Sequence, residues 1–355
     1  MSSGERATAQ SAASKGATMD EVRSAIDARL ARFFDEERTA ASALAPEALE
    51  LVEAIAALTM RGGKRLRPAV LVAAFCSVAP HRDWREVTVD AGAALEVLQS
   101  YLLIHDDWMD GDDVRRGGPA VHAALGQKLG DAHLGASLAI LSGDLGSAYA
   151  QRLFLGSLAH AASPGPLHEA FVRMQVEVVM GQSLDLLGSP DVSRMQQLKT
   201  GSYTVAGPLR LGALIGGASE AQLAALDAFG VPLGEAFQVR DDLLGTFGDP
   251  RATGKPAGND LRAGKRTALV LECERLVPES ERAALTRVLG KKDASEDEVS
   301  AATRLFVESG ARRNVEAKLA ALLDRACAAL EGGALLDPGR SMLRELADML
   351  AIRDR

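Results

Sequence analysis

Two short acidic runs carry the strongest chemical signal in the chain. The first is His105-Asp106-Asp107-Trp108-Met109-Asp110 and the second is Gln238-Val239-Arg240-Asp241-Asp242-Leu243-Leu244-Gly245. Each closes an apolar pattern of helical spacing, with Leu95, Leu98 and Leu102 before the first and Leu233 and Phe237 before the second. Asp106 and Asp110 are four positions apart, so their carboxylates leave one helix face. Three carboxylates within two turns repel one another and sit at the negative end of the helix macrodipole. A hard cation such as Mg²⁺ removes that penalty, and it is commonly held by one or two carboxylates together with phosphate oxygens and water. Alone, the second run reads equally as a solvated acidic helix end, whereas the first favours metal over that reading. Facing each other across a bundle, the two would gather metal around a diphosphate, with Asp249 and Asp260 following in the adjoining loop.

Cations recur between these runs. Arg61-Gly62-Gly63-Lys64-Arg65-Leu66-Arg67-Pro68 surrounds a Gly–Gly turn at a helix start, where backbone N–H groups and the positive dipole end favour phosphate. Arginine adds fork-shaped donors that match phosphate oxygens. Arg115 and Arg116 lie just beyond the first acidic run; Lys199-Thr200, Gly254-Lys255-Pro256, Lys265 and Arg266 occupy later polar turns. Singly, each is an ordinary solvated charge. Alternating with acidic helix ends, they suit a pair of diphosphate substrates, one bound through metal and one directly by cations.

These residues need helices to place them. Composition is 47% hydrophobic with aromatics at only 4%, and Ala and Leu dominate, which favours helix over strand. Apolar periodicity with Gly, Pro or Ser breaks predicts helices from Asp20, as N-cap, to about Glu37, then over 46–60, from Pro68, and over 85–110. Further helices are predicted over 134–155, 166–187, 192–214, 220–244, 262–276, 281–288, 295–309, 312–330 and 338–351. There is no βαβ alternation, repeat or Pro/Ser linker. The expectation is an all-α single bundle of ten or more helices around a central apolar cavity, spanning 19–355 after a disordered tail at 1–18.

The remaining composition excludes whole classes. A net charge of −8 offers no global basic field for nucleic acid. Cys76, Cys273 and Cys327 are far apart, as for buried thiols in a reducing compartment rather than a disulfide framework or a metal site. No apolar stretch is expected to reach the ~18 residues of a membrane span, and residues 1–18 lack a signal core. The expected location is the cytoplasm.

Five ordered blocks carry a resemblance: GGKRLRP at 62–68, HDDWMDGDDVRRGGPAVH at 105–122, KTGSYT at 199–204, FQVRDDLLGTFGD at 237–249 and TGKPAGNDLRAGKRT at 253–267. The chain resembles the trans-isoprenyl diphosphate synthases, or polyprenyl synthetases, over nearly all of Asp20 to Ala351. That resemblance implies the isoprenoid synthase fold and a homodimer. It implies an Mg²⁺-dependent prenyltransferase, using about two to three ions, that joins isopentenyl diphosphate to an allylic diphosphate (dimethylallyl, geranyl or farnesyl). Lys64, Arg67 and Gln99, helped by Arg116, would then hold isopentenyl diphosphate. Asp106 and Asp110 would bind metal with Asp107 close by, and Asp241 and its neighbour Asp242 would form the opposite wall. Arg115, Lys199, Lys255 and Lys265 would contact the allylic diphosphate, and Thr200 and Gln238 would line the reacting carbon. Many members carry a third Asp in the second motif where this chain has Gly245.

Product length would depend on what blocks the channel below the first acidic run. Tyr101 and Leu102 lie five and four residues before Asp106, about 6–7.5 Å down the helix. Helical spacing puts Leu102 nearly beneath Asp106 and turns Tyr101 aside. An aromatic at 101 is similar to the geranylgeranyl type, with farnesyl as the near alternative. A class I terpene cyclase and a non-catalytic partner subunit are the competing readings. The first is opposed by the basic 62–68 turn, and the second by the intact Asp106, Asp107, Asp110, Lys64 and Arg67.

Overall fold

Helix α1 (Met19–Leu44) begins two residues earlier than Asp20 would place it. Thr18 is the N-cap: its hydroxyl accepts from the Glu21 N–H at 3.2 Å, and the Glu21 carboxylate accepts from the Thr18 N–H at 2.9 Å. This reciprocal box satisfies two orphan donors, leaving Asp20 as a first-turn acid facing the positive dipole end. The computed structural model describes residues 17–248 and 258–351. Most of the expected tail, residues 1–16, therefore lies outside the described residues, while Ala17 is already buried.

A 3₁₀ turn at Pro46–Ala48 leads into α2 (Leu49–Met60), and α3 (Leu66–Val78) carries Pro68 in its first turn, where a missing N–H costs nothing. Helix α4 (Trp84–Asp110) delivers the first acidic run at its C-terminus. Among the described residues the sole sheet is a two-residue antiparallel hairpin, β1 (Val114–Arg115) with β2 (Gly118–Pro119). Then come α5 (Val121–Leu129), which periodicity did not reveal, α6 (Ala132–Leu158) and α7 (Pro164–Leu186).

The predicted 192–214 helix is three pieces: α8 (Val192–Gln196), a ten-residue π-helix (Gln197–Ala206) and α9 (Gly207–Gly216). Helix α10 (Glu220–Phe247) ends in the second acidic run. The predicted 262–276 helix is also divided. Gly264, in the left-handed region at φ +77°, separates α11 (Asn259–Arg262) from α12 (Ala268–Leu276), and Thr267 caps the latter. Helices α13 (Ala283–Val288), α14 (Glu296–Glu308), α15 (Ala311–Ala329) and α16 (Gly339–Ala351) complete the bundle.

Helix α4 is the axis, packing along α6 and against α1, α2 and α3; α3 pairs with α9 and α10 with α15. By length and composition α4 could cross a membrane, contrary to the expectation from sequence, but 67% of its apolar window is buried inside the bundle. Its hydrophobicity is that of a core helix, and each fully buried Leu there contributes roughly 1.5–3 kcal/mol. Cys76, Cys273 and Cys327 are free thiols, the first two buried and the third half-buried.

Candidate active site

The α4 carboxylates have divided their tasks. Asp107 is buried and accepts from Arg115 through Nε at 2.6 Å and again through Nη2, so it fixes the guanidinium. Asp106 lines an apolar cavity, and both it and Asp110 face lysines. Asp106 Oδ1 lies 3.2 Å from Lys199 Nζ, and Oδ2 lies 3.6 Å from Arg115 Nη2. Asp110 Oδ2 lies 3.6 Å from Lys265 Nζ. Burial and the neighbouring Asp106 charge push the Asp110 carboxyl upward, the electrostatic penalty that a bound cation relieves.

Lys199 is delivered by the π-helix. The wide turn brings its backbone against Gly181 of α7, where a Cβ would collide with the Lys199 main chain. Pro208, just inside α9, has no N–H to offer the carbonyl four residues back, which disfavours regular α winding across the junction. Burial works against the Lys199 charge, but Asp106 and Asp185, the latter 2.5 Å away, outweigh it and raise its pKa. The ammonium therefore stays charged throughout the neutral range. π-Helical turns recur at functional sites because they re-aim side chains in this way.

Two cavities meet at this end of the bundle. The first, about 440 Å³, has Asp106, Met109, Lys199 and Thr200 together with an apolar wall that includes Tyr101, Leu102 and Val178. Tyr101, which spacing alone turned aside, lines it beside Leu102; its ring meets His105 edge-on at 5.0 Å. The second cavity, about 250 Å³, gathers Lys64, Arg67, Gln99, Arg116 and Asp241. Asp106 and Asp241 thus line different cavities. Those cavities share a wall where the Arg67 guanidinium lies over the Tyr203 ring at 4.3 Å and donates to Thr204 Oγ1 at 3.0 Å.

The basic turn is built by two of its own arginines. Arg65, in the left-handed region at φ +47°, turns inward to Glu96 at 2.6 Å, Asp27 at 2.8 Å and the Thr59 carbonyl at 3.0 Å. Arg61 reaches across to the Arg115 and Pro119 carbonyls, both at 2.9 Å, while Arg116 returns to the Gly62 carbonyl at 2.8 Å. The turn and the hairpin clasp each other, and Lys64 and Arg67 are left to face the second cavity.

In the second acidic run, Asp241 sits in a recess with one face open to water; crowding and the adjacent Asp242 push its carboxyl upward. Asp242, expected among the catalytic carboxylates, has both oxygens committed. It accepts from Gln238 Nε2 at 2.9 Å and from the Ala268 N–H at 2.8 Å, tying α12 to α10. Gln238, expected beside the reacting carbon, spends its amide on that bond and faces a separate cavity of about 380 Å³ behind the π-helix. Lys265 lies 3.6 Å from both Asp110 and Asp260, linking the two acidic walls. Lys255 and Asp249 lie outside the described residues.

Asp185, the Asp27–Glu96 pair and Gln182, which lines the first cavity, escaped the sequence reading. They stand in amphipathic helices with nothing at short range to mark them. Among the described residues no three His, Cys, Asp or Glu side chains form a ready-made metal cage. Asp106 Oδ1 is buried with the Lys199 ammonium 3.2 Å away but no aligned hydrogen bond, and Asp110 is destabilised as an anion. Such sparse oxygen donors beside cations fit Mg²⁺ arriving with a diphosphate that supplies its remaining oxygens.

The sequence profile of the polyprenyl synthetase family matches residues 49–306, and the chain belongs to that family. A geranylgeranyl diphosphate synthase of Sulfolobus acidocaldarius is 36% identical over 258 residues, 70% of this chain and 74% of the relative. A geranylfarnesyl diphosphate synthase of Aeropyrum pernix is 35% identical over 76% of this chain and 83% of its own length. A crystal structure of geranylgeranyl pyrophosphate synthase from Corynebacterium glutamicum, complexed with isoprenyl diphosphate and magnesium, superposes with a TM-score of 0.87. It is 34% identical, covering 95% of this chain and all of that one.

Proposed function

We propose that the protein condenses isopentenyl diphosphate head-to-tail with allylic diphosphates, with geranylgeranyl diphosphate as the main product. The observation that carries this reading is the pairing of an apolar cavity topped by Asp106 and Lys199 with a cationic cavity holding Lys64, Arg67 and Arg116. One fits an allylic tail and its diphosphate. The other fits a second diphosphate bound directly by its cations, with the Asp241 carboxylate on its wall.

Asp106, Asp110 and Asp241 are the residues to hold Mg²⁺, which when bound neutralises charge on the leaving diphosphate. Lys199, Lys265 and Arg115 add fixed positive charge at the same end, placed before the reaction begins. The allylic carbon–oxygen bond breaks with its electron pair leaving on diphosphate. The double bond of isopentenyl diphosphate, oriented by Lys64, Arg67 and Gln99, supplies the pair for the new carbon–carbon bond. Loss of a proton, taken by the released diphosphate, restores a double bond. Holding both substrates across the Arg67–Tyr203 wall makes this encounter effectively intramolecular. The apolar wall excludes water that would otherwise quench the cation.

The exposed apolar faces of α6 and α7, among them Leu141, Leu155, Val176 and Met180, support the homodimer that the resemblance implies.

Incubation with Mg²⁺, isopentenyl diphosphate and each allylic starter, followed by sizing of the products, tests the proposal. Geranylgeranyl product that disappears on chelation and returns with added Mg²⁺ is the expected result. Consumption of the allylic substrate without isopentenyl diphosphate would instead mark a cyclase. Because Tyr101 lines the tail cavity, Tyr101→Ala is expected to shift the main product to longer chains by at least one isoprene unit. An unchanged product ladder would remove Tyr101 as the stop.

A further inference from the structure

The π-helix stands between two cavities. Its Lys199, Thr200 and Tyr203 line the first, and its Gln197, Leu198 and Gly201 line the cavity of about 380 Å³ on the other side. That third cavity has no part in the proposed reaction. A missing side chain helps to open it: among the described residues, nothing beyond the local helix stands within 4 Å of where a Cβ on Gly201 would be. Gly201 is not in the left-handed region, so no backbone demand accounts for the glycine. Four charged side chains border the cavity, Glu177 and Glu235 against Arg194 and Lys318. Glu235 pairs with Lys318 at 2.8 Å, Glu177 pairs with Arg173 at 3.1 Å, and Arg194 donates to Gln197 Oε1 at 3.3 Å. A diphosphate finds no surplus of positive charge here, unlike in the second cavity. Val231, 59% exposed, and Leu271, 37% exposed, give the wall apolar surface that water still reaches. Gln238 lines the same space; its Nε2 donates to Asp242 at 2.9 Å, while its Oε1 accepts no hydrogen bond among the described residues. Apolar walls, balanced charge and a vacant acceptor select an uncharged molecule with a donating head, because an unpaired charge is costly to desolvate there.

We propose that the third cavity is an effector site for a neutral amphiphile, an apolar body whose hydroxyl donates to Gln238 Oε1, and that its occupancy supports the wide winding that aims Lys199. The π-helix lacks packing where Gly201 leaves space, and a ligand there supplies the contacts that are missing. An allylic diphosphate held by Lys199 favours the same winding from the opposite side. The two ligands therefore tighten each other by one common factor. The site itself stands apart from the prenyl-transfer reading, and only this coupling rests on it.

The test needs no turnover. Farnesol, a neutral unsaturated alcohol, is titrated calorimetrically into the full-length protein with Mg²⁺ and excess farnesyl thiodiphosphate, which keeps the first cavity full. Saturable binding is expected in wild type. Gly201→Leu, whose side chain takes the empty space, is expected to weaken it at least about tenfold. Val231→Glu is expected to do the same by setting a carboxylate against the apolar body, and its exposed position keeps the comparison available if Gly201→Leu does not fold. In the converse titration, farnesol is expected to tighten farnesyl thiodiphosphate binding at least about fivefold in wild type and not in either variant. No farnesol binding once the first cavity is full, equal farnesol affinity in wild type and both variants, or an unchanged thiodiphosphate affinity overturns the inference. A wild-type protein that fails to bind farnesyl thiodiphosphate with Mg²⁺ would instead sink the proposed function. Farnesol binding compared between wild type and the variants then still decides the site, which separates the two failures.

Discussion

Asp106→Asn is expected to lower kcat by about a thousandfold, or about 4 kcal/mol of transition-state stabilisation. The substitution keeps the side-chain shape but removes the carboxylate charge that lines the tail cavity, 3.2 Å from Lys199. Folding should survive it. Lys199 retains its 2.5 Å bond to Asp185, and Arg115 retains its paired contact with Asp107. The thermal midpoint should therefore stay close to wild type while single-turnover chemistry collapses. A variant within about tenfold of wild-type kcat would show that Asp106 does not hold metal at the departing diphosphate.

The second large effect separates two neighbouring cations. Arg65 and Glu96 are each only 3% exposed at the side chain and lie 2.6 Å apart. Burial opposes the Arg65 charge, and Glu96 and Asp27 more than restore it. Arg65→Leu strands the Glu96 carboxylate, and breaking a buried pair in this way costs about 3–5 kcal/mol. The expected result is a fall of roughly 5 °C in Tm, with the 61–67 turn loosened. Lys64→Ala, one residue away and facing the cavity, is expected to leave stability within about 1 kcal/mol. It should raise KM for isopentenyl diphosphate by about tenfold or more while leaving KM for the allylic substrate nearly unchanged. Denaturant melts and two-substrate kinetics read these outcomes. An Arg65 variant that melts with wild type would show that the turn is held by something other than this pair.

Why the sequence revealed Lys64 and not the task of Arg65 is a matter of range. Gly62–Gly63, Pro68 and the spacing of Asp106 and Asp110 are local signals, and local rules read them. Most helices came from the same periodicity, so their existence and order were legible, while α5 and the breaks within 192–214 and 262–276 were not. What Arg65 does depends on Glu96 and Asp27, far off in the chain, and no local pattern reports a partner at that distance. Asp242 shows the same blindness in reverse. Beside Asp241 it looks like metal chemistry, yet its oxygens serve Gln238 and the Ala268 amide. The π-helix was invisible because its residues have ordinary helical periodicity; its winding depends on Gly181 across the interface and on Pro208 downstream. Thr18 was readable in principle, since Glu21 stands three residues on, but the acidic Asp20 drew the cap to itself.

Arg115 and Arg116 are consecutive residues that diverge. Arg115 turns to Asp106 and Asp107, and Arg116 turns to the cavity of Lys64 and Arg67. Their α-carbons are about 3.8 Å apart, a spacing set by covalent bonds. Because Arg61 and Arg116 also lace the hairpin to the 61–67 turn, the residues proposed to anchor both substrate heads belong to one hydrogen-bonded yoke. Rocking it would carry the heads together and leave the gap between them fixed. On the proposed function, the span across which the new bond forms would then be set by the chain itself, insensitive to the length of the tail below.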